Sequence, residues 1–241
     1  MTLNKTRVRA IVRKELREYR RTRSVVVAMA IFPLIFLIQP LVTIFLLKSS
    51  DASQLSQRHL LLYMLGIPAL VPAAVAAASI VGERQQGTLE PVLTTPIRRH
   101  ELVAGKALAP LIPSVAIAYA VYAFFVACVE LFAQPGIAPA LIRGPDILAQ
   151  LIFTPLIAAC SIWIAITISA KSSDIRAAQQ LSMLAGLPSV TATTLIAFGV
   201  IQATLGLALG LAAALLLANR LGWRIVSATL DRERLVTGTR P

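Results

Sequence analysis

The chain has 241 residues, of which 57% are apolar and 14% charged, and it carries 23 Lys and Arg against 11 Asp and Glu. A water-soluble domain is about 45–50% apolar and about 25% charged, so a mean hydropathy of +0.76 excludes a single aqueous globule. A net charge of +12 would suit nucleic acid, but the aromatic interleaving and long polar faces of such proteins are missing, so the expected solvent and partner is a lipid bilayer, with no nucleic acid.

In chain order, residues 1–23 hold nine cations. Val8, Ile11, Val12, Leu16 and Tyr19 recur among them at helical spacing, which predicts an amphipathic helix lying on the inner membrane face. The apolar stretch that follows is too long for a signal-peptide core and has no small-x-small site at its end, so it reads as a retained first span. Stretches free of Asp, Glu, Lys and Arg cover 24–47, 60–82, 107–129, 147–170 and 177–219. About 20 helical residues cross the roughly 30 Å hydrocarbon core. The first four stretches, of 23 or 24 residues, are therefore one span each, and the fifth, of 43, is two spans. The turn between those two is expected near 199–202, with Pro188 kinking the first of the pair.

The expectation is thus an all-α integral membrane protein, one transmembrane domain over 1–241. Its six spans lie at about 24–47, 60–82, 103–129, 147–170, 177–198 and 201–219, and a tail follows at 220–241. Twenty cations fall in 1–23, 83–106, 171–176 and 220–241, against three in 48–59 and 130–146. The asymmetry places both termini in the cytoplasm, which an even number of spans requires.

A search for chemistry in the sequence finds no GxxxxGK[ST] phosphate loop, no HExxH, no GxSxG and no paired intramembrane carboxylates. Cys128, Cys160, His59 and His100 lack ligand spacing, so no metal is expected. The span centres carry no charge, which disfavours an ion-coupled transporter; Glu130, near the end of the third span, is left without a role.

The loop between the second and third spans carries the most punctuation. Thr88 caps a short helix with Glu90 in its first turn, and Leu89, Val92 and Leu93 fall on one side. Pro96 stops that helix by Thr94. Thr95 then caps a second helix that Pro96 opens and that runs on into the third span. A short helix with an apolar face and an Arg98, Arg99 rim suits a groove on another protein.

The string E-R-x-x-G-T-L-E-x-x-L-x-T-P-I-R-R-x-E-L-x-x-G-K over 83–106 resembles the signature loop of the ABC-2 type permeases, the membrane subunits of type-2 ABC exporters. The opening Lys14, Glu15, Leu16, Arg17, Glu18, the six-span layout and Arg232, Glu233, Arg234, Leu235 extend the resemblance along the chain. It implies that the basic N-terminal helix is the family's elbow helix. It further implies that the loop is the coupling helix that docks into a separate P-loop ATPase, with Glu83, Arg84, Gly87, Thr88, Leu89, Glu90, Thr95 and Pro96 as coupling residues. The implied assembly is a homodimer of permeases with two ATPase chains in a prokaryotic cell membrane. ATP and Mg would be bound by the partner, leaving this chain neither enzyme nor cofactor carrier. The segment 48–59 has only twelve residues, unlike members with large outer domains.

Uncharged spans point to a hydrophobic or amphipathic cargo: a drug, a lipid-like molecule or a peptide. Gln39 and the group Ser189, Thr191, Thr193 and Thr194 are the candidate cargo-facing residues. Gly206, Gly210, Ala214 and Ala218 form a small-xxx-small stripe for close helix packing, as do Ala74, Ala78 and Gly82. The competing readings are a related six-span permease for cofactor export in cytochrome maturation, and a membrane enzyme or non-transporting scaffold.

Overall fold

The computed structural model describes residues 4–46, 58–87 and 98–229. Among these the regular secondary structure is all helix, and six helices are long and apolar enough to cross a membrane, as the hydropathy pattern implied.

Helix α1 covers Lys5–Arg21, with the Asn4 side chain accepting from the Thr6 N–H at 3.1 Å and Arg20 and Arg21 in the last turn. Those cations complement the negative end of the helix dipole. Thr22 takes an extended conformation, and α2 follows immediately over Arg23–Leu46. The corner lets α1 turn aside from the bundle while α2 enters it. Val25, Ala28, Phe36 and Ile44 of α2 are buried, whereas Val26, Val27, Ile31, Leu34, Ile35, Ile38 and Val42 are exposed. One face therefore meets protein and the other is suited to lipid.

The second span is composite: a 3₁₀ segment Leu60–Leu65, helix α3 Gly66–Ala76, a turn over 77–80, and helix α4 Val81–Gln85. Nearly every residue in it is buried, because α2 and the later spans enclose it. Small residues make that enclosure possible. The ring of Phe36 stands where a Cβ on Gly66 would be, and a Cβ on Gly186 would lie 3.1 Å from the Ala69 carbonyl oxygen. Ala74, Ala78 and Gly82, the second small-residue series, accordingly face neighbours within the chain.

Helix α5, Arg99–Phe132, has 34 residues, about 51 Å at 1.5 Å per residue, so it is longer than the hydrocarbon core is thick. Short helix α6, Ile137–Leu141, leads to α7, Gly144–Lys171, and α8, Ile175–Ala197, follows with Pro188 inside it. The chain leaves α8 at Phe198, passes through Gly199 at φ 77°, and resumes as α9, Leu205–Thr229. Helix α9 packs mainly on α7. Asn219 Nδ2 donates to the Leu156 carbonyl at 3.0 Å, Trp163 Nε1 donates to Asn219 Oδ1 at 3.1 Å, and Trp163 meets Trp223 edge-on.

One expectation about the third span is corrected. Arg98 is extended (φ −74°, ψ 145°) and is the N-cap, so the helix that becomes the third span starts at Arg99 and not at Pro96 under a Thr95 cap. The cause is Glu101, whose carboxylate accepts the Arg98 N–H at 3.0 Å. A carboxylate at the third helical position reaches back to an orphan donor and sets the helix start there.

Candidate functional site

Among the described residues, the base of the bundle, where α1, the end of the second span and the start of the third converge, holds the densest set of buried charges. Lys106 is 1% exposed, and Glu15 and Glu83 are each 2% exposed. Lys106 donates to Glu15 Oε1 at 3.1 Å and to the Ser79 carbonyl at 2.7 Å, and its ammonium forms an ion pair with Glu83 Oε2 at 2.8 Å. From the exposed side of α1, Lys14 pairs with the other Glu83 oxygen. Two carboxylates therefore face two ammoniums from three separate helices. Burying charge away from water is costly unless it is paired and hydrogen-bonded, and here each charge is both. Beside the cluster Tyr19 is buried, and burial, then the Glu15 carboxylate, pushes its phenol well above the ordinary value. Burial foremost, then Glu15, likewise raises Glu18.

Backbone geometry explains why the cluster forms here. The turn at 77–80 interrupts the helical ladder and frees backbone groups. The Ser169 hydroxyl accepts the N–H groups of Ile80 and Val81, both at 3.1 Å, and Lys106 takes the Ser79 carbonyl. In lipid such groups need partners inside the protein, and a serine and a lysine from two other helices supply them.

The surroundings bind the stems of the loop as well. Arg84 donates to the carbonyls of Ala170 and Ser172, and Gln85 to that of Ser173, at 3.0–3.2 Å. These satisfy carbonyls at the end of α7 that have no helical partner. Gly87 then turns the chain at φ 67°, the left-handed geometry that glycine adopts without strain. On the returning side Glu101 accepts from the Asn4 N–H at 3.2 Å and pairs with Arg7 at 3.4 Å. The described stems on either side of 88–97 are thus tied to α1 and to the end of α7.

Of the sequence-derived coupling residues, Thr88, Leu89, Glu90, Val92, Leu93, Thr95 and Pro96 lie outside the described residues. Glu83, Arg84, Gly87, Arg98 and Arg99 fall on the two stems, with Glu83 turned inward onto Lys106. The apolar face of α1 meets protein: Ile11 sits on Gly105, and Tyr19 packs with Val25, Val75 and Ala109. Glu15 and Lys106 appear in the sequence only as members of the family-like strings, and no burial was expected of either, because a lysine just before an apolar stretch reads as a flank. Their one legible signal was spacing: Ile11, Glu15 and Tyr19 recur every four residues, which puts the glutamate on the apolar face.

The other candidates separate. Gln39 lies in α2, but its side chain is outside the described residues. In α8 the Thr193 hydroxyl donates to the Ser189 and Val190 carbonyls at 3.0 Å, local back-bonding that satisfies a hydroxyl in an apolar helix. Thr191 is exposed, while Ser189 and Thr194 are half-buried. The stripe on α9 faces away from the bundle: a Cβ on Gly206 or Gly210 would meet nothing within 4 Å. Ala214 is exposed and Ala218 half-buried. At the opposite end of α7, Asp146 is buried against His59 Nδ1 at 2.6 Å and Arg143 Nη2 at 3.1 Å.

Six helices long and apolar enough to span a membrane, with an N-terminal helix docked on their base, define a multi-pass helical membrane protein. The chain belongs to the ABC-2 transporter family: the family described as ABC-2 family transporter protein matches residues 9–228. Membership makes it a membrane transport component of an ABC transporter. No curated protein matches the sequence.

Proposed function

We propose that this chain is the permease subunit of an ABC exporter, in which two copies form the path for a hydrophobic or amphipathic cargo. A separate P-loop ATPase, two copies per transporter, docks on 88–97. The observation that carries the reading is the family match across 9–228, which takes in the spans and the loop alike. The stems support it, since a partner pulling on 88–97 pulls on groups tied to α1 and α7. ATP and Mg would reside in the partner, and both termini would be cytoplasmic, in a prokaryotic cell membrane. The open small-residue face of α9 supports close approach of a second permease. Uncharged lipid-suited faces support an apolar cargo over a polyanion.

Copurification from membranes kept intact tests the core of the reading. A P-loop ATPase is expected to accompany the wild-type chain, with Leu89→Asp and Glu90→Lys inserting normally but failing to couple hydrolysis to transport. Recovery without any such ATPase, or full transport by both variants, would refute it.

A further inference from the structure

The buried cluster stands on both sides of the same loop. Glu83 lies just ahead of 88–97 and Lys106 just beyond it, while Glu15 and Lys14 belong to α1. One ammonium therefore touches α1, the incoming stem and, through the Ser79 carbonyl, the broken turn inside the second span. We propose that Lys106 is a positioning residue, the joint through which displacement of 88–97 moves α1 and reshapes the 77–80 turn.

Three observations argue for a joint over a passive brace. The attraction between charges rises steeply as the local dielectric falls, and at 1–2% exposure these ions are shielded from water, so Glu83 and Glu15 follow Lys106 closely. The apolar seat of α1, with Ile11 and Tyr19 its buried apolar side chains, and the contacts of Asn4 and Arg7 with Glu101 hold the helix at rest, while Glu15 gives it a buried ionic link to Lys106. The 77–80 turn has already given up helical bonds at the Ile80 and Val81 N–H groups and the Ser79 carbonyl, which a hydroxyl and this ammonium take instead. It can therefore change shape without breaking an intact helix.

This rests on an ATPase docking at 88–97, and the test separates the two ideas. The permease with its ATPase is placed in lipid nanodiscs, with Cys128→Ala and Cys160→Ala removing native thiols. Spin labels are attached at Arg13→Cys on α1 and Lys171→Cys at the end of α7, both exposed positions. Electron-spin distances are compared without nucleotide and with ATP plus vanadate. The wild type should shift its distance distribution on trapping. Lys106→Met and Glu15→Gln should keep the resting distance and ATP hydrolysis but lose the shift. A shift that persists in both variants, or a wild type with ATPase bound and no shift, would overturn the proposal. A changed resting distance in the variants would also overturn it, since it would show a static clamp. Should Lys106→Met fail to accumulate, Glu15→Gln decides by the same criteria. Absence of a bound ATPase from the wild type would instead remove the proposed function itself.

Discussion

Gly105→Val is the sharpest test of how α1 is seated. A Cβ at Gly105 would lie 2.6 Å from Ile11 Cγ2 and 2.7 Å from Ile11 Cβ, where ordinary contact starts at 3.4 Å. Helix α1 must therefore recede by about 0.8 Å, and a gap of about 0.5–1 Å forfeits a quarter to a half of each dispersion contact. Ile11 and Tyr19 together contribute about 3–6 kcal/mol of burial, so the loss is about 1–3 kcal/mol, the usual range for overpacking. The higher helix propensity of valine over glycine returns only about 0.3 kcal/mol, leaving a net cost of about 2 kcal/mol. Hydrogen exchange of the α1 amides, read in nanodiscs, should then quicken about 30-fold if exchange proceeds through undocking. Gly105→Ala, which adds the Cβ without the γ-methyls, should quicken exchange by a smaller factor. Unchanged exchange in Gly105→Val, or a larger effect of Gly105→Ala, would refute this account of the seat.

Two further outcomes follow from the geometry. Ser169→Ala strips the hydroxyl from the Ile80 and Val81 N–H groups and should cost about 1–3 kcal/mol, seen as a lower melting temperature of the purified protein, while Ser169→Thr, which keeps the oxygen, should lose less. Gly222→Leu places a Cβ 2.6 Å from Trp163 Cβ and Cγ; it should part α9 from α7 and alter the near-ultraviolet dichroism of the Trp163 and Trp223 pair, leaving the α1 amides as protected as before.

Spans were legible because lipid imposes one rule on every residue of a crossing helix, so runs without charge mark them directly. Pro188 inside α8 and Gly199 in the turn that follows were readable for a similar reason, since their backbone constraints are local. The ionic joint was hidden because its members are 91 and 23 residues apart along the chain, at Glu15, Lys106 and Glu83. Nothing in the neighbourhood of Lys106 distinguishes a lysine facing water from one enclosed by three helices. The start of the third span went wrong for a related cause: Thr95 and Pro96 are strong local signals, but Glu101 holds the Arg98 N–H and also reaches Asn4 and Arg7, and only the tertiary structure shows that the same carboxylate serves both ends. The outward face of the α9 stripe was equally unreadable, since small residues pack within a chain or between chains with the same pattern.

The enclosure of the second span bears on biogenesis. A segment leaving the ribosome is judged for membrane insertion before the helices that will surround it have been made, so it must dissolve in lipid alone. In the finished protein the same segment touches almost no lipid. Its sequence answers both demands in succession: Leu60, Leu61, Leu62, Met64, Ile67, Leu70 and Val71 supply the hydrophobicity needed at insertion, and the run Ala73, Ala74, Ala76, Ala77 and Ala78 leaves room for later helices to close in. Lys106 arrives after Glu15 and Glu83 have already been synthesised, so the charge that completes the joint is also the one that meets its partners as the third span inserts.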